Sequence, residues 1–391
     1  MFKLKQDIVL LFLFVCLLSC SSNPKSFIDP KKNVFISKPE VTFNIKTLPK
    51  QINVFYFNSS TDNQNISLFM QGITDNYYYY KKSIGYVPEL NFIDLSNNID
   101  CIKNINLSRD AFSVGFFLNR DSSQLDSNCY QGFQDTKGLV VSNTKIIGLN
   151  NERFRTFNFN RKLDIKNLLS IAKSDGNLRA VIIDDPSTKD KELFEEIWRN
   201  MDGEVISSVR SENELGSQKL LSEILLLGQS KTRSRKLSRI IGLEINNKLR
   251  RREDIDSIFL STSLANARSL KPALEYNFAD NLSVYLIPSW EEEGYLRNKE
   301  LDLENVIITE MPFLLNTNIT FQKTVQVDRS RNYAIGYDTF ELVLLLNSTS
   351  KSNFNYFGLT GLITNEYPLI QKKSLSAKVI KGELKYLNYA D

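Results

Sequence analysis

The chain has 391 residues, a length that predicts two globular units or one protein divided into two lobes. Its 49 basic and 45 acidic residues give a net charge of +4, which is too small an excess to indicate a dedicated polyanion-binding protein. Histidine is absent, which excludes a histidine base, proton relay or metal ligand.

Residues 1–19 have the layout of a secretory signal, because two lysines precede an unbroken apolar run over residues 8–18. The run ends in the motif LLSC, which resembles a bacterial lipobox. By that resemblance, Cys20 becomes the first residue of the mature protein and carries the acyl chains that anchor it to a membrane. The alternative is an uncleaved anchor helix, for which the apolar run is short.

Two cysteines, Cys101 and Cys129, remain in the body of the mature protein, since Cys16 lies within the signal. Export to an oxidising compartment makes a disulfide between them one expectation. Two separately buried thiols are the other, because sequence spacing cannot show whether the two side chains come within reach.

The elements then follow in chain order. Residues 20–50 are rich in Ser, Asn, Lys and Pro and predict a lipidated flexible tether. Apolar runs predict strands over residues 52–57, 90–95, 112–118, 138–142, 145–149, 179–184, 203–209, 255–260 and 282–287. Apolar spacing of three and four residues predicts helices over residues 66–77, 164–174, 189–201 and 265–277. Alternating strands and helices indicate an α/β protein with parallel sheets flanked by helices.

Ligands of such sheets bind outside the carboxyl ends of the strands, where this chain places two polar groups. One follows the first core strand, and the other ends the apolar strand that begins at residue 179. The predicted ligand-cleft residues are Asn58, Ser59, Ser60, Thr61, Asp184 and Asp185.

Residues 231–252 hold nine basic side chains against the single acid Glu244. This pattern predicts a solvated loop and helix face, with contact to anionic lipid or glycan as the alternative. The sequence lacks the glycine-rich phosphate loops, the Gly-x-Ser-x-Gly elbow and the spaced metal ligands of common enzymes. We therefore expect no enzyme activity, cofactor, metal or nucleic-acid partner.

Five pieces in the C-terminal half resemble the LppC family of outer-membrane lipoproteins, which activate penicillin-binding proteins. They are RRREDIDSIFL (250–260), ARSLKPAL (267–274) with NLSVY (281–285), EMPFLL (310–315), AIGYD (334–338) and GLTG (358–361). The resemblance implies the type I periplasmic-binding fold, with two Rossmann-like lobes joined by a multi-stranded hinge. Lobe 1 would comprise residues 51–155 and about 290–350, and lobe 2 residues 156–289 and about 351–391.

The resemblance also implies a function. The protein would be an outer-membrane lipoprotein that faces the periplasm and activates a class A penicillin-binding protein, a peptidoglycan synthase, without chemistry of its own. The alternative that the residues leave open is a lipid-tethered solute-binding protein for an amino acid or small amide, which would use the predicted ligand cleft.

Overall fold

The computed structural model describes the following residues: 27–28, 45–57, 63–96, 110–117, 137–143, 154–186, 188, 190–211, 216–244, 249–290, 299–315, 329–348, 354–366 and 369–387. The strands within these residues are β1 Phe27–Ile28, β2 Gln51–Tyr56, β3 Glu89–Asp94, β4 Ala111–Phe117, β5 Lys137–Ser142, β6 Phe154–Asn158, β7 Arg179–Asp184, β8 Glu204–Arg210, β9 Ser257–Thr262, β10 Ser283–Pro288, β11 Ile307–Glu310, β12 Phe354–Phe357, β13 Leu362–Glu366, β14 Leu369–Lys373, β15 Leu375–Ile380 and β16 Glu383–Leu387. The helices are α1 Asn63–Ile84, α2 Lys162–Ser174, α3 Lys191–Asn200, α4 Ser217–Ile224, α5 Leu227–Ile241, α6 Leu264–Tyr276 and α7 Arg331–Ser348, with 3₁₀ turns at Ile45–Thr47 and Leu301–Leu303.

The strands form two eight-stranded sheets. The first has the order β12-β13-β14-β6-β5-β4-β2-β3, and the second β1-β16-β15-β11-β10-β9-β7-β8. In the first sheet the strands from β3 to β14 run parallel, and β13 and β12 add an antiparallel edge. In the second, the strands from β8 to β11 run parallel, and β15, β16 and β1 extend the sheet with antiparallel pairs.

Helices cover the sheets as the alternating pattern predicts. Strand β7 and strand β9 are buried in the second sheet, which carries apolar clusters on both faces: α4 and α6 on one, α2 and α3 on the other. Helices α1 and α7 pack together on the first sheet. Gly72 and Gly336 permit this close crossing, because a Cβ at either position would lie about 2 Å from a carbonyl oxygen of the other helix.

Two predicted boundaries need correction. Residues 307–310 belong to the second sheet and residues 354–373 to the first, whereas the predicted division placed the former in lobe 1 and the latter in lobe 2. The reason is that β14 passes directly into β15 at Ser374, so the chain changes sheet where no composition signal marks it. The predicted tether also contributes structure, since Phe27–Ile28 pairs with β16.

None of the described helices is both long and apolar enough to span a bilayer. Several predicted features lie outside the described residues: the signal, lipidation at Cys20, the state of Cys101 and Cys129, and the strand over residues 145–149.

Candidate functional site

The chain crosses between the two sheets after β6, after β11 and after β14, at the carboxyl ends of their parallel strands. The carboxyl ends of parallel strands are where α/β proteins bind ligands and place polar groups. The residues around these crossings are 158–164, 288–290, 309–313, 330–333 and 372–376, and we call them the junction. It is the candidate functional site because these three connections between the sheets lie in it.

A buried lysine and a buried aspartate join two of the crossings. Lys372 lies near the end of strand β14, and Asp164 lies in the first turn of α2. The Lys372 Nζ is 2.5 Å from the Asp164 Oδ2, and both side chains are less than a tenth exposed. The second oxygen of Asp164 accepts a hydrogen bond from the Ser374 backbone N–H at 2.7 Å. The Lys372 ammonium also donates to the Ser374 hydroxyl. All these polar groups therefore have partners in a region from which water is excluded.

A second ion pair links the end of β11 to the start of α7. The Arg331 guanidinium makes several hydrogen bonds to the Glu310 carboxylate, and the Met311 backbone N–H donates to the same carboxylate at 2.8 Å. Burial alone would raise the pKa of Glu310, but the charge and hydrogen bonds of Arg331 outweigh it and lower that pKa. Glu310 is thus held as a carboxylate.

Trp290 closes the junction on the side of β10. Its ring stacks on Phe159 at 5.7 Å, and the Arg331 guanidinium carbon lies 5.3 Å from the ring centroid. Arg331 also donates to the Trp290 carbonyl. This geometry suits a cation-π contact that fixes the indole over the crossing after β6.

The two predicted cleft aspartates lie at the end of β7 and are both buried. One oxygen of Asp184 forms a 2.9 Å ion pair with Arg210, and the other has no partner among the described residues. Asp185 accepts from the Ser263 backbone N–H at 2.8 Å, where α6 begins, and from Asn266 at 3.5 Å. Ser263 caps α6, since its hydroxyl accepts from the Asn266 backbone N–H, and Asp185 holds this cap residue in place through its backbone N–H.

The remaining predicted cleft residues, Asn58, Ser59, Ser60 and Thr61, lie outside the described residues. The structure therefore brings together Asp184 and Asp185, and the rest of the predicted cleft stays a prediction. Among the described residues, no group of three or more acidic, cysteine or histidine side chains is arranged to hold a metal ion.

A second buried polar cluster lies where α1 crosses α7. Asp338 accepts hydrogen bonds from the Leu359 and Thr360 backbone N–H groups and from the Thr360 hydroxyl, at 2.7 to 3.0 Å. Burial raises the pKa of Asp338 to about 7, although the hydrogen bonds from Thr360 act in the opposite direction. This contact joins the AIGYD and GLTG pieces, 20 residues apart in the chain, into one structural unit.

Glu341, one turn further along α7, completes this cluster. The Tyr80 hydroxyl and the Asn76 side-chain amide both donate to its carboxylate. Burial and the neighbouring carboxylate raise the pKa of Tyr80, so its hydroxyl remains a donor. The described contacts of Asp338 come from backbone N–H groups and a hydroxyl, and none of them from a lysine or an arginine.

The residues that build the junction and the crossing of α1 and α7 were not predicted as a site. Glu310 and Asp338 did carry a signal, since both lie in pieces of the LppC resemblance. Asp164 and Lys372 carried none, because they are 208 residues apart and only the sheet topology brings them together.

Comparison with known proteins confirms the resemblance. Residues 181–373 match the family described as "LppC putative lipoprotein". Comparison with curated proteins finds no match.

Solved structures agree on the fold. The LpoA C-domain from Haemophilus influenzae, "a regulator of PBP1A", is 15% identical with a TM-score of 0.57, over 86% of this chain and all of that domain. Full-length LpoA from the same organism is 14% identical with a TM-score of 0.59, and the match covers 88% of this chain but only 60% of that protein. A "putative branched-chain amino acid ABC transporter" from Rhodospirillum rubrum is 12% identical with a TM-score of 0.59, and the match covers 86% of this chain and 99% of that one. The predicted α/β fold is confirmed: residues 181–373 match the LppC family model, and the chain has a fold of the type I periplasmic-binding-protein class.

Proposed function

We propose that this protein is an outer-membrane lipoprotein that faces the periplasm, binds a class A penicillin-binding protein and raises its activity. Cys20 would carry the acyl anchor, and the synthase would supply all the chemistry. The observation that carries the proposal is the LppC match over residues 181–373, which contains Glu310, Arg331 and Asp338 with the contacts that hold them. The LpoA C-domain, a regulator of PBP1A, has the same fold over its whole length.

The junction supports a binding role without catalysis. Four of its charged side chains are engaged in two pairs: Lys372 with Asp164, and Arg331 with Glu310. A general acid or base needs a titratable group that can reach a substrate, and these pairs are buried and mutually neutralised. The surface of the protein is then the natural place for a partner to bind.

A lipid-tethered solute-binding protein is the second candidate. It is favoured by the fold shared with the Rhodospirillum rubrum transporter protein and by the buried Asp184 oxygen that has no partner among the described residues. In this function an amino acid or small amide would bind between the lobes, with Asp184 as one of its contacts.

The first experiment uses a fragment that begins at Ser21, so that the Phe27–Ile28 strand and its pairing with β16 are kept. The fragment is used to retain proteins from detergent-solubilised envelope, and any synthase retained is assayed for glycan polymerisation with and without it. We expect specific retention and faster polymerisation. If no synthase is retained, or if its rate is unchanged, the activator function is wrong.

An Asp184→Asn variant separates the two candidates. The activator function predicts that the variant, once its folding has been checked by thermal unfolding, stimulates the synthase as well as the parent chain. The solute-binding function predicts a thermal shift of the parent chain on addition of an amino acid, and loss of that shift in the variant.

The anchor is tested separately in cells. A Cys20→Ser variant should not be acylated and should no longer fractionate with the outer membrane. Cell fractionation and the mass of the purified protein measure both effects, and unchanged outer-membrane fractionation would argue against lipidation at Cys20.

A further inference from the structure

Helix α5 projects from the second sheet's helical layer. It follows α4 after a sharp break at Leu226, whose φ of 56° is in the left-handed region. Leu227 is the one residue of α5 that is fully buried. The returning chain is held at the base of the helix, where Arg252 N–H donates to the Leu225 carbonyl and Arg250 N–H to the Ser230 hydroxyl. The fold thus builds and fixes a helix that contributes little to its own core.

The charge of α5 is uniform in sign. Its five basic side chains are all exposed, the helix contains no acidic residue, and none of the five pairs with a carboxylate among the described residues. They are Lys231, Arg233, Arg235, Lys236 and Arg239. Several arginines elsewhere in the described residues form ion pairs, as Arg252 does with Asp254 and Arg268 with Glu300. Helix α5 therefore presents concentrated positive charge that is available to a negatively charged surface.

The end of α5 is also apolar on its exposed surface. Leu237, Ile240 and Ile241 have the spacing of one helix face and are 49%, 81% and 56% exposed. Leu243, just beyond the helix, is 67% exposed. Single exposed apolar side chains are common on soluble proteins. Four within seven residues, on a helix with five cations, form a patch, and such patches mark surfaces that bind a partner or a membrane.

We propose that α5 binds the surface of an anionic phospholipid membrane. Its lysines and arginines would contact lipid phosphates, while Leu237, Ile240 and Ile241 enter the boundary between headgroups and acyl chains. A membrane surface of this kind binds cations at its headgroups and apolar side chains just below them, so it suits both the basic and the apolar side chains of α5. A nucleic acid would use only the cations. The inference goes beyond the proposed function, since it concerns a membrane contact through the folded part of the protein.

The test is flotation of residues 21–391, which include every described residue and lack the acyl anchor, with vesicles of phosphatidylcholine alone or with 30% phosphatidylglycerol. We expect binding to the anionic vesicles, and weaker binding as the salt concentration rises. An Arg235→Gln, Lys236→Gln variant should bind roughly 25-fold more weakly, at about fivefold for each charge lost near the surface. An Ile240→Ser, Ile241→Ser variant should bind about tenfold or more weakly at unchanged charge.

Matched variants on α1 serve as controls. Lys81→Gln, Lys82→Gln removes two exposed helix charges, and Tyr78→Ser removes a 60% exposed aromatic side chain. Both should bind the anionic vesicles as the parent chain does, and thermal unfolding checks that all variants are folded. The proposal would be overturned if the parent chain bound neutral and anionic vesicles equally, or if the α1 and α5 variants lost vesicle binding to the same extent. So would absence of vesicle binding while the α5 variants lose retention of an envelope protein, a result that would assign α5 to a protein partner.

Discussion

The junction and the α1–α7 crossing both bury carboxylates, but they stabilise them in opposite ways. At the junction, Glu310 faces Arg331 and Asp164 faces Lys372. At the crossing, the described contacts of Asp338 and Glu341 come from backbone N–H groups, hydroxyls and an amide. The pKa values follow the partners: that of Glu310 is lowered, and that of Asp338 is raised to about 7.

The difference indicates what each region does. A buried ion pair has a large cost if one partner is lost, so it fixes which segments lie together at the junction. A buried carboxylate with neutral donors costs stability when it ionises, so Asp338 makes the contact between α7 and residues 359–360 dependent on pH. The packing of α1 against α7 does not need a charged pair, because the close contacts at their glycines already determine how the two helices cross.

The largest expected effect comes from breaking a junction pair. Arg331→Met leaves Glu310 buried without its cation, and we expect the free energy of unfolding to fall by about 3 to 5 kcal/mol. Denaturant titration measures it. The matched control is Arg199→Met, which removes an exposed partner of Glu195 and should change stability by less than about 1 kcal/mol.

A double variant sharpens this prediction. Replacing both Arg331 and Glu310 by methionine removes the uncompensated charge, so stability should recover toward that of the parent chain. If the single variant loses no more than the Arg199 control, the ion pair does not hold the junction together.

The next effect tests the packing at the crossing. Gly336→Ala places a Cβ 2.0 Å from the Phe69 carbonyl oxygen, so α1 and α7 must move apart, and we expect a loss of about 3 kcal/mol. Gly228 in α5 has nothing within 4 Å of the same added atom, and Gly228→Ala should be neutral or stabilise by up to about 1 kcal/mol. Equal melting temperatures of the two variants would show that the helices do not cross as closely as described.

The sequence predicted the parallel parts of both sheets well. The strands β2, β4, β7 and β10 all begin and end within two residues of their predicted bounds, because buried parallel strands are continuous apolar runs. Helix α7 was not predicted, since 14 of its 18 residues are buried and it therefore shows no one-sided apolar period. The short strands β12 to β16 were missed as well, because they mix polar and apolar side chains over four to six residues.

The site was less predictable than the fold. Asp184 and Asp185 were placed correctly at a strand end, but their contacts with Arg210 and Ser263 depend on neighbours that the sequence does not identify. The same holds for Asp164 and Lys372, whose pairing needs the order of the strands in both sheets. Local pattern thus predicted where polar residues end strands, and topology determined which of them meet.

A pH effect should distinguish the crossing from the junction. The pKa of Asp338 is higher in the folded protein, about 7, than in the unfolded chain, so between these values the folded state binds the extra proton. Its contribution is therefore present at low pH and is lost as pH rises towards 7. We expect a loss of about 2 kcal/mol between pH 5 and pH 8 that is absent in Asp338→Asn. Denaturant titrations at several pH values measure it, and parallel curves for the two proteins would contradict it.

The smallest effect tests a single donor at the crossing. Tyr80→Phe removes the hydroxyl that donates to Glu341, and Asn76 still donates to the same carboxylate. We therefore expect a loss of about 1 kcal/mol, less than that for a junction pair because no charge is left without donors. Tyr78→Phe, two residues away on the exposed side of α1, is the control and should leave the denaturation midpoint unchanged. A loss as large as that of Arg331→Met would mean that the crossing depends on its polar contacts as strongly as the junction does, and the contrast between the two regions would fail.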